Sequence, residues 1–113
     1  MSKEARTDFP ISELIAKRWS PYAFDDRAVS RADLCSLLEA ARWAPSSYNE
    51  QPWSYILATK DEPDEFAKLL SCLLEGNQEW AKAVPVLMVG CTSLNFNRNG
   101  KPNAAATHDL GLA

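Results

Sequence analysis

Two short stretches of this 113-residue sequence gather side chains that could do more than pack. The first is Lys17-Arg18-Trp19-Ser20-Pro21-Tyr22-Ala23-Phe24. Arg18 offers a planar fork of donors suited to a phosphate, and Ser20 adds a hydroxyl two residues on. An arginine near a helix C-terminus is also favoured by the helix dipole alone, so the local residues leave both readings open. The second stretch is Ala44-Pro45-Ser46-Ser47-Tyr48-Asn49-Glu50-Gln51-Pro52-Trp53. Here Ser46, Ser47, Asn49 and Gln51 stand between two rigid prolines, which makes a stiff loop of neutral donors and acceptors. Such a loop suits a planar polar heterocycle with a polyol chain. The same residues would also serve an ordinary helix-to-strand connection built from turn formers.

Other chemistries find little support. There is no G-x-x-x-x-G-K-[ST] and no G-x-G-x-x-G, and Gly76, Gly90, Gly100 and Gly111 are isolated. His108 is the sole histidine, with no second one to build a metal site and no G-x-S-x-G beside it, so it reads as structural or solvent-facing. Cys35, Cys72 and Cys91 are scattered and odd in number, which reads as reduced intracellular thiols and points to the cytoplasm. A formal net charge of -3 provides no bulk positive field for nucleic acid. The longest apolar run, Ala83 to Cys91, is about half of the ~18 residues a membrane helix needs, and the charged stretch from Met1 to Pro10 is no secretory signal.

The elements that must position these stretches can be read in order. With 46% hydrophobic and 24% charged residues, the chain suits one packed domain, its first ten residues a flexible tail. Ile11 to Trp19 has helical spacing, ended by Ser20-Pro21. Ser30 caps a second helix, with Asp33 in a capping-box-like place and Leu34, Leu37, Leu38 and Ala41 as its core face. Pro45 ends it after Ala44. Trp53 to Thr59 reads as a strand. Glu62-Pro63-Asp64 opens a third helix with Phe66, Leu69, Leu70, Leu73 and Leu74 as its core face and Gly76 as its stop. Gln78 to Val84 reads as a short helix and Pro85 to Cys91 as a buried strand. Asn95 to Asn103 is a loop turning at Asn99-Gly100. Thr107 to Ala113 looks like a cap followed by the opening of an apolar helix, which suggests a fragment, since so short a helix does not hold itself in water.

R-x-S-x-x-x-F followed by A-P-S-S-x-N-x-Q-P-W resembles the nitroreductase family of FMN enzymes. Asn77-Gln78-x-Trp80-Ala81, Ala83-Val84-Pro85-Val86-Leu87 and His108-Asp109-Leu110-Gly111-Leu112-Ala113 extend the resemblance, so that it runs from Ala16 to Ala113. It implies an α+β, nitroreductase-like fold with a mixed sheet flanked by helices, truncated before its C-terminal half. Arg18 and Ser20 would contact the flavin phosphate or ribityl chain. Pro45, Ser46, Ser47, Asn49 and Gln51 would contact the flavin, in this family usually from the second subunit of a homodimer with FMN at the interface, and Asn77 would approach the isoalloxazine edge. No catalytic side chain and no metal is implied. Tyr22 stands where the family commonly has Arg or Lys, and the family's further basic residues lie beyond this sequence.

The activity implied is an FMN-dependent oxidoreductase: NAD(P)H passes a hydride to the flavin and leaves, then a small-molecule acceptor such as a nitroaromatic or quinone takes its place, in ping-pong order. The protein would hold the flavin and tune it. Two other readings stand beside this one. One is a non-catalytic family fragment that dimerises or packs without cofactor; the other keeps the flavin but uses it in a specialised dehydrogenation, ring cleavage or dehalogenation.

Overall fold

The computed structural model describes residues 3–113. Met1 and Ser2, the start of the expected tail, lie outside the described residues. Lys3 to Pro10 form no helix or strand, yet the Ala5 N–H donates to Ala16 O at 2.8 Å and the Lys3 ammonium sits 5.3 Å from the centre of the Trp19 ring.

Aromatic and branched residues build an antiparallel strand pair, β1 (Trp53–Thr59) and β2 (Val86–Thr92), in the register Trp53↔Thr92 to Thr59↔Val86. Among the described residues this pair is the whole sheet, so the expected mixed sheet is represented by an antiparallel pair without a parallel neighbour. The connection is no tight turn: it carries two helices, α3 (Pro63–Ser71) and α4 (Glu75–Ala81). Successive residues of a strand point to opposite faces. Ala58 and Leu87, which pair, therefore share one face, and with Phe66 of α3, Val84, Phe24, Leu69 and Leu70 they form the core. Tyr55 and Gly90, which also pair, take the other face against Leu110 of α5 (Ala106–Leu112). A helix thus covers each side of the pair.

The chain before β1 is more open. α1 spans Glu13–Lys17 only, shorter than the expected Ile11 to Trp19, and Arg18 follows in extended conformation. Leu14 and Ile15 are 85% and 65% exposed, so no packed face supports a longer helix there. α2 (Arg31–Arg42) starts as read from the sequence: Ser30 Oγ accepts the Asp33 N–H at 3.1 Å and donates to Asp33 Oδ2 at 2.7 Å. Its expected core face is a correction. Only Ala41 is buried, and Leu37 is 60% exposed.

Three further differences are local. α3 stops at Ser71 and Gly76 lies inside α4 rather than ending α3, because an extended Leu74 separates the two helices and starts the second. Leu74 is accordingly exposed, not core. α5 begins at Ala106, and Asn103 rather than Thr107 serves its start, its Oδ1 accepting the Ala105 N–H at 3.1 Å. The turn at Asn99-Gly100 is as expected, with Gly100 at φ 68°.

The open N-terminal third sets the overall dimensions. The radius of gyration is 16.9 Å, against about 13 Å for a compact chain of this length. The accessible surface is 9011 Å², against about 6,200 Å² for a compact 12.6 kDa monomer, an excess of roughly 2,800 Å².

Candidate functional site

The segment between Pro45 and Pro52 is a strained bend. After an extended Ser46, a single 3-10 turn covers Ser47–Asn49. Tyr48, Asn49 and Gln51 all take positive φ, at 56°, 53° and 50°. Asparagine tolerates this region, but for bulky Tyr48 it is a genuine outlier, and each such residue costs about 1–3 kcal/mol. Strain of this kind persists only where the surroundings hold it.

The bend is held from several sides. The Gln51 N–H donates to Ser46 Oγ at 3.0 Å, and the Asn49 and Glu50 amides donate to the Ser46 and Ser47 carbonyls. Gln51 Nε2 donates to the Arg42 carbonyl at 3.2 Å, tying the bend to the end of α2. The Ser47 N–H donates to Asp109 Oδ2 at 2.9 Å, tying it to α5. The Asn97 N–H donates to the Glu50 carboxylate, and the Ser93 N–H donates to the Pro52 carbonyl. Arg98 lies over the Tyr48 ring.

These constraints consume backbone groups and leave side chains over. The Ser47 hydroxyl, the Asn49 amide and Gln51 Oε1 have no hydrogen-bond partner among the described residues. Pro45, Asn49 and Gln51 line a recess of about 350 Å³ with Arg42, Trp43 and Ala44. Arg42 is a cation at this recess that sequence reasoning did not single out; it ion-pairs with Glu39 at 3.5 Å.

Arg18 and Ser20 form a second group. Arg18 Nη1 donates to Ser20 Oγ at 3.4 Å, and Arg18 makes no ion pair among the described residues. Arg18 lines a different recess, with Glu13, Leu14 and Lys17. Phe24, the last residue of that motif, anchors the segment in the core and stacks on Trp80 with centroids 5.9 Å apart. Asn77 belongs to α4, where its Oδ1 accepts from Trp80 Nε1 at 3.3 Å. Within one chain, then, Arg18 is brought to Ser20, the bend residues are brought together, and the two groups line separate recesses, with Asn77 engaged elsewhere.

Asp109 was read from the sequence only as part of a helix opening. It is 3% exposed. The one signal for it was its place three residues after Ala106, on the face that turns inward. His108 beside it is solvent-facing, its Nδ1 3.4 Å from Asp109 Oδ1. Among the described residues no group of three or more metal-binding side chains occurs, the cysteines are unpaired, and no helix is long and apolar enough to cross a membrane.

Comparison with known proteins agrees with the paired motifs. The chain is 33% identical over 81 residues to an oxygen-insensitive NADPH nitroreductase of Helicobacter pylori J99, a match covering 71% of this chain and 37% of that protein. It is 31% identical over 96 residues to the major NAD(P)H-flavin oxidoreductase of Aliivibrio fischeri, covering 80% and 42%. A crystal structure described as an oxidoreductase containing FMN superposes with a TM-score of 0.86 at 36% identity, over 95% of this chain and 55% of that one. The chain thus spans roughly two fifths of the curated relatives it matches. The nitroreductase family model matches residues 15–107, about four fifths of the chain, and with the fold superposed over almost all of it this chain belongs to the nitroreductase family.

Proposed function

We propose that the protein is an FMN-dependent oxidoreductase that uses NAD(P)H to reduce nitroaromatic, quinone or similar small acceptors, and that it works as a homodimer with FMN between two copies. The observation that carries this reading is the Pro45–Pro52 bend. Its backbone is held in unfavourable conformations while the Ser47 hydroxyl, the Asn49 amide and Gln51 Oε1 are left unpaired. That donor set fits FMN: neutral donors and acceptors suit a ring edge and a ribityl chain, and an arginine without a carboxylate partner suits a phosphate. Pro45, Ser46, Ser47, Asn49 and Gln51 would hold the flavin ring, and Arg18 with Ser20 would hold its phosphate. Asn77 would come to the ring edge on release from Trp80.

FMN, when bound, supplies the two-electron chemistry that passes a hydride from nicotinamide to acceptor. The chain's own part is to grip, orient and partly desolvate. Arg18 adds charge-assisted bonds worth about 1.5–3 kcal/mol each when well placed. The bend offers its polar groups without further loss of backbone freedom, since the ordering is already done.

Separate recesses for Arg18 and for the bend suit a site shared between copies, one supplying phosphate contacts and the other the bend. The cytoplasm is the proposed compartment, in keeping with three unpaired cysteines.

The test is direct. Purified protein should be yellow, with a flavin absorbance spectrum bleached by NADPH or NADH. A colourless monomer that takes up no added FMN would overturn the reading. That result is the one expected of a family fragment that packs without cofactor.

A further inference from the structure

Buried carboxylates are uncommon, because desolvation penalises the charge unless strong donors meet it. Asp109 is 3% exposed, and its Oδ2 receives the backbone N–H of Ser47 from 62 residues away at 2.9 Å. Its place in the first turn of α5 suits the helix dipole, but an exposed acid would serve the dipole equally well. Burial needs a separate reason, and the bond to Ser47 supplies one. The Ser47 amide opens the 3-10 turn, where no earlier carbonyl of the turn can receive it. Tyr48 and Asn49, both at positive φ, follow at once.

From this we infer that Asp109 is the positioning residue of the flavin-contacting bend: by holding the Ser47 amide it fixes the strained turn that presents the Ser47 hydroxyl and the Asn49 amide. The inference rests on the FMN reading for what the bend contacts, but not for what holds it. Asp109 itself touches no ligand in this scheme. It acts through Ser47. Removing the carboxylate leaves an orphaned amide and a turn free to return to negative φ, which scatters the two side chains.

Three variants test it. Asp109→Ala removes the acceptor, while Asp109→Asn keeps an oxygen that can still accept. Ser47→Pro removes the donor instead, at a position where proline fits, since Ser46 is extended (φ -147°, ψ 156°) and Ser47 opens the turn. Amide hydrogen exchange of the bend in flavin-free protein reads the latch, and FMN titration by flavin fluorescence reads what the latch positions. Asp109→Ala and Ser47→Pro should each speed exchange at 48–51, and Asp109→Ala, which leaves every proposed flavin contact in place, should raise the FMN dissociation constant about tenfold. In the exchange measurement the double variant should be no worse than the worse single one, because for the latch both delete the same bond. Asp109→Asn should recover most of the loss, which a general weakening of α5 would not predict. Where Asp109→Ala does not fold, Asp109→Asn and Ser47→Pro carry the test.

Exchange at the bend unchanged in Asp109→Ala, or losses from Asp109→Ala and Ser47→Pro that simply add, would overturn the inference. So would FMN affinity of Asp109→Ala equal to the parent's. If the parent itself takes up no FMN, the FMN reading fails, and the exchange measurement still decides whether Asp109 holds the bend.

Discussion

The Arg98 guanidinium lies 3.9 Å from the centre of the Tyr48 ring, over a residue whose backbone sits at φ 56°. The same charge is 5.1 Å from the Phe96 ring, which meets Tyr48 edge-on at 5.7 Å. With the Asn97 amide on Glu50, this clamps the 95–103 loop onto the bend. Tyr48 is 74% exposed, so its burial does not hold it in place. The clamp does.

Arg98→Ala is therefore expected to lower stability by about 0.5–1 kcal/mol, the usual worth of an exposed cation–π contact. Arg98→Lys should lose part of that, since an ammonium does not stack flat on a ring. Thermal unfolding of the three proteins decides it, and identical melting temperatures would remove the clamp from the account.

How far the sequence revealed this arrangement varied with the range of the cause. β1 was legible in full because Trp53, Tyr55 and Ile56 favour strands locally, and the start of α2 was legible because Ser30 and Asp33 cap through neighbours three residues apart. The bend was legible as a stiff polar segment, since two prolines bracket Ser46, Ser47, Asn49 and Gln51. Its shape was not: tyrosine and glutamine are poor candidates for positive φ, and only contacts from Asp109, Asn97 and Arg98 make it tenable. The burial of Asp109 was signalled only by its spacing from Ala106, because the bond that accompanies it comes from Ser47, distant in sequence. α1 and the apolar face of α2 were overread for the opposite reason. Periodicity marks a face as able to pack, and among the described residues little beyond Ala41 is covered there.

Where β2 meets α5, Gly90 lies close against the tip of Leu110. A Cβ at Gly90 would stand 3.2 Å from Leu110 Cδ1 and 3.5 Å from Tyr55 Cε1. Gly90→Val should destabilise by about 1–3 kcal/mol through overpacking. Adding Leu110→Ala should return part of it, because the cavity opened by one change receives the branch of the other. Chemical denaturation of the single and double variants checks the cycle. Additive losses would show that Gly90 is not set against Leu110.

Arg18 separates ligand binding from folding. It is exposed, and its hydrogen bond within the chain is the long one to Ser20 at 3.4 Å. Arg18→Ala should shift stability by no more than about 0.5 kcal/mol. Loss of charge-assisted phosphate bonds should weaken FMN binding about tenfold to a hundredfold. Flavin content of the purified variant and an FMN titration read the second effect, and thermal unfolding of flavin-free protein reads the first. Equal flavin content in variant and parent would take Arg18 out of the phosphate site.

The uncovered face of α2 gives the most direct check on the two-copy site. Leu37 and Leu38 are 60% and 38% exposed at the inward spacing of an otherwise well-capped helix. Fully burying an exposed leucine supplies about 1.5–3 kcal/mol, so covering both would contribute a fraction of that for each. The helix leads directly into the bend, where the Arg42 carbonyl receives Gln51 Nε2, so a partner seated on α2 would lie beside this chain's bend. Sedimentation velocity at micromolar concentration should show a dimer. Leu37→Lys, which places a charge in the middle of that face, should shift it toward monomer and weaken FMN binding in the same step, although Leu37 itself contacts no flavin. A dimer unaffected by Leu37→Lys would move the interface to another surface; a variant that turns monomeric yet binds FMN as the parent does would return every flavin contact to a single chain.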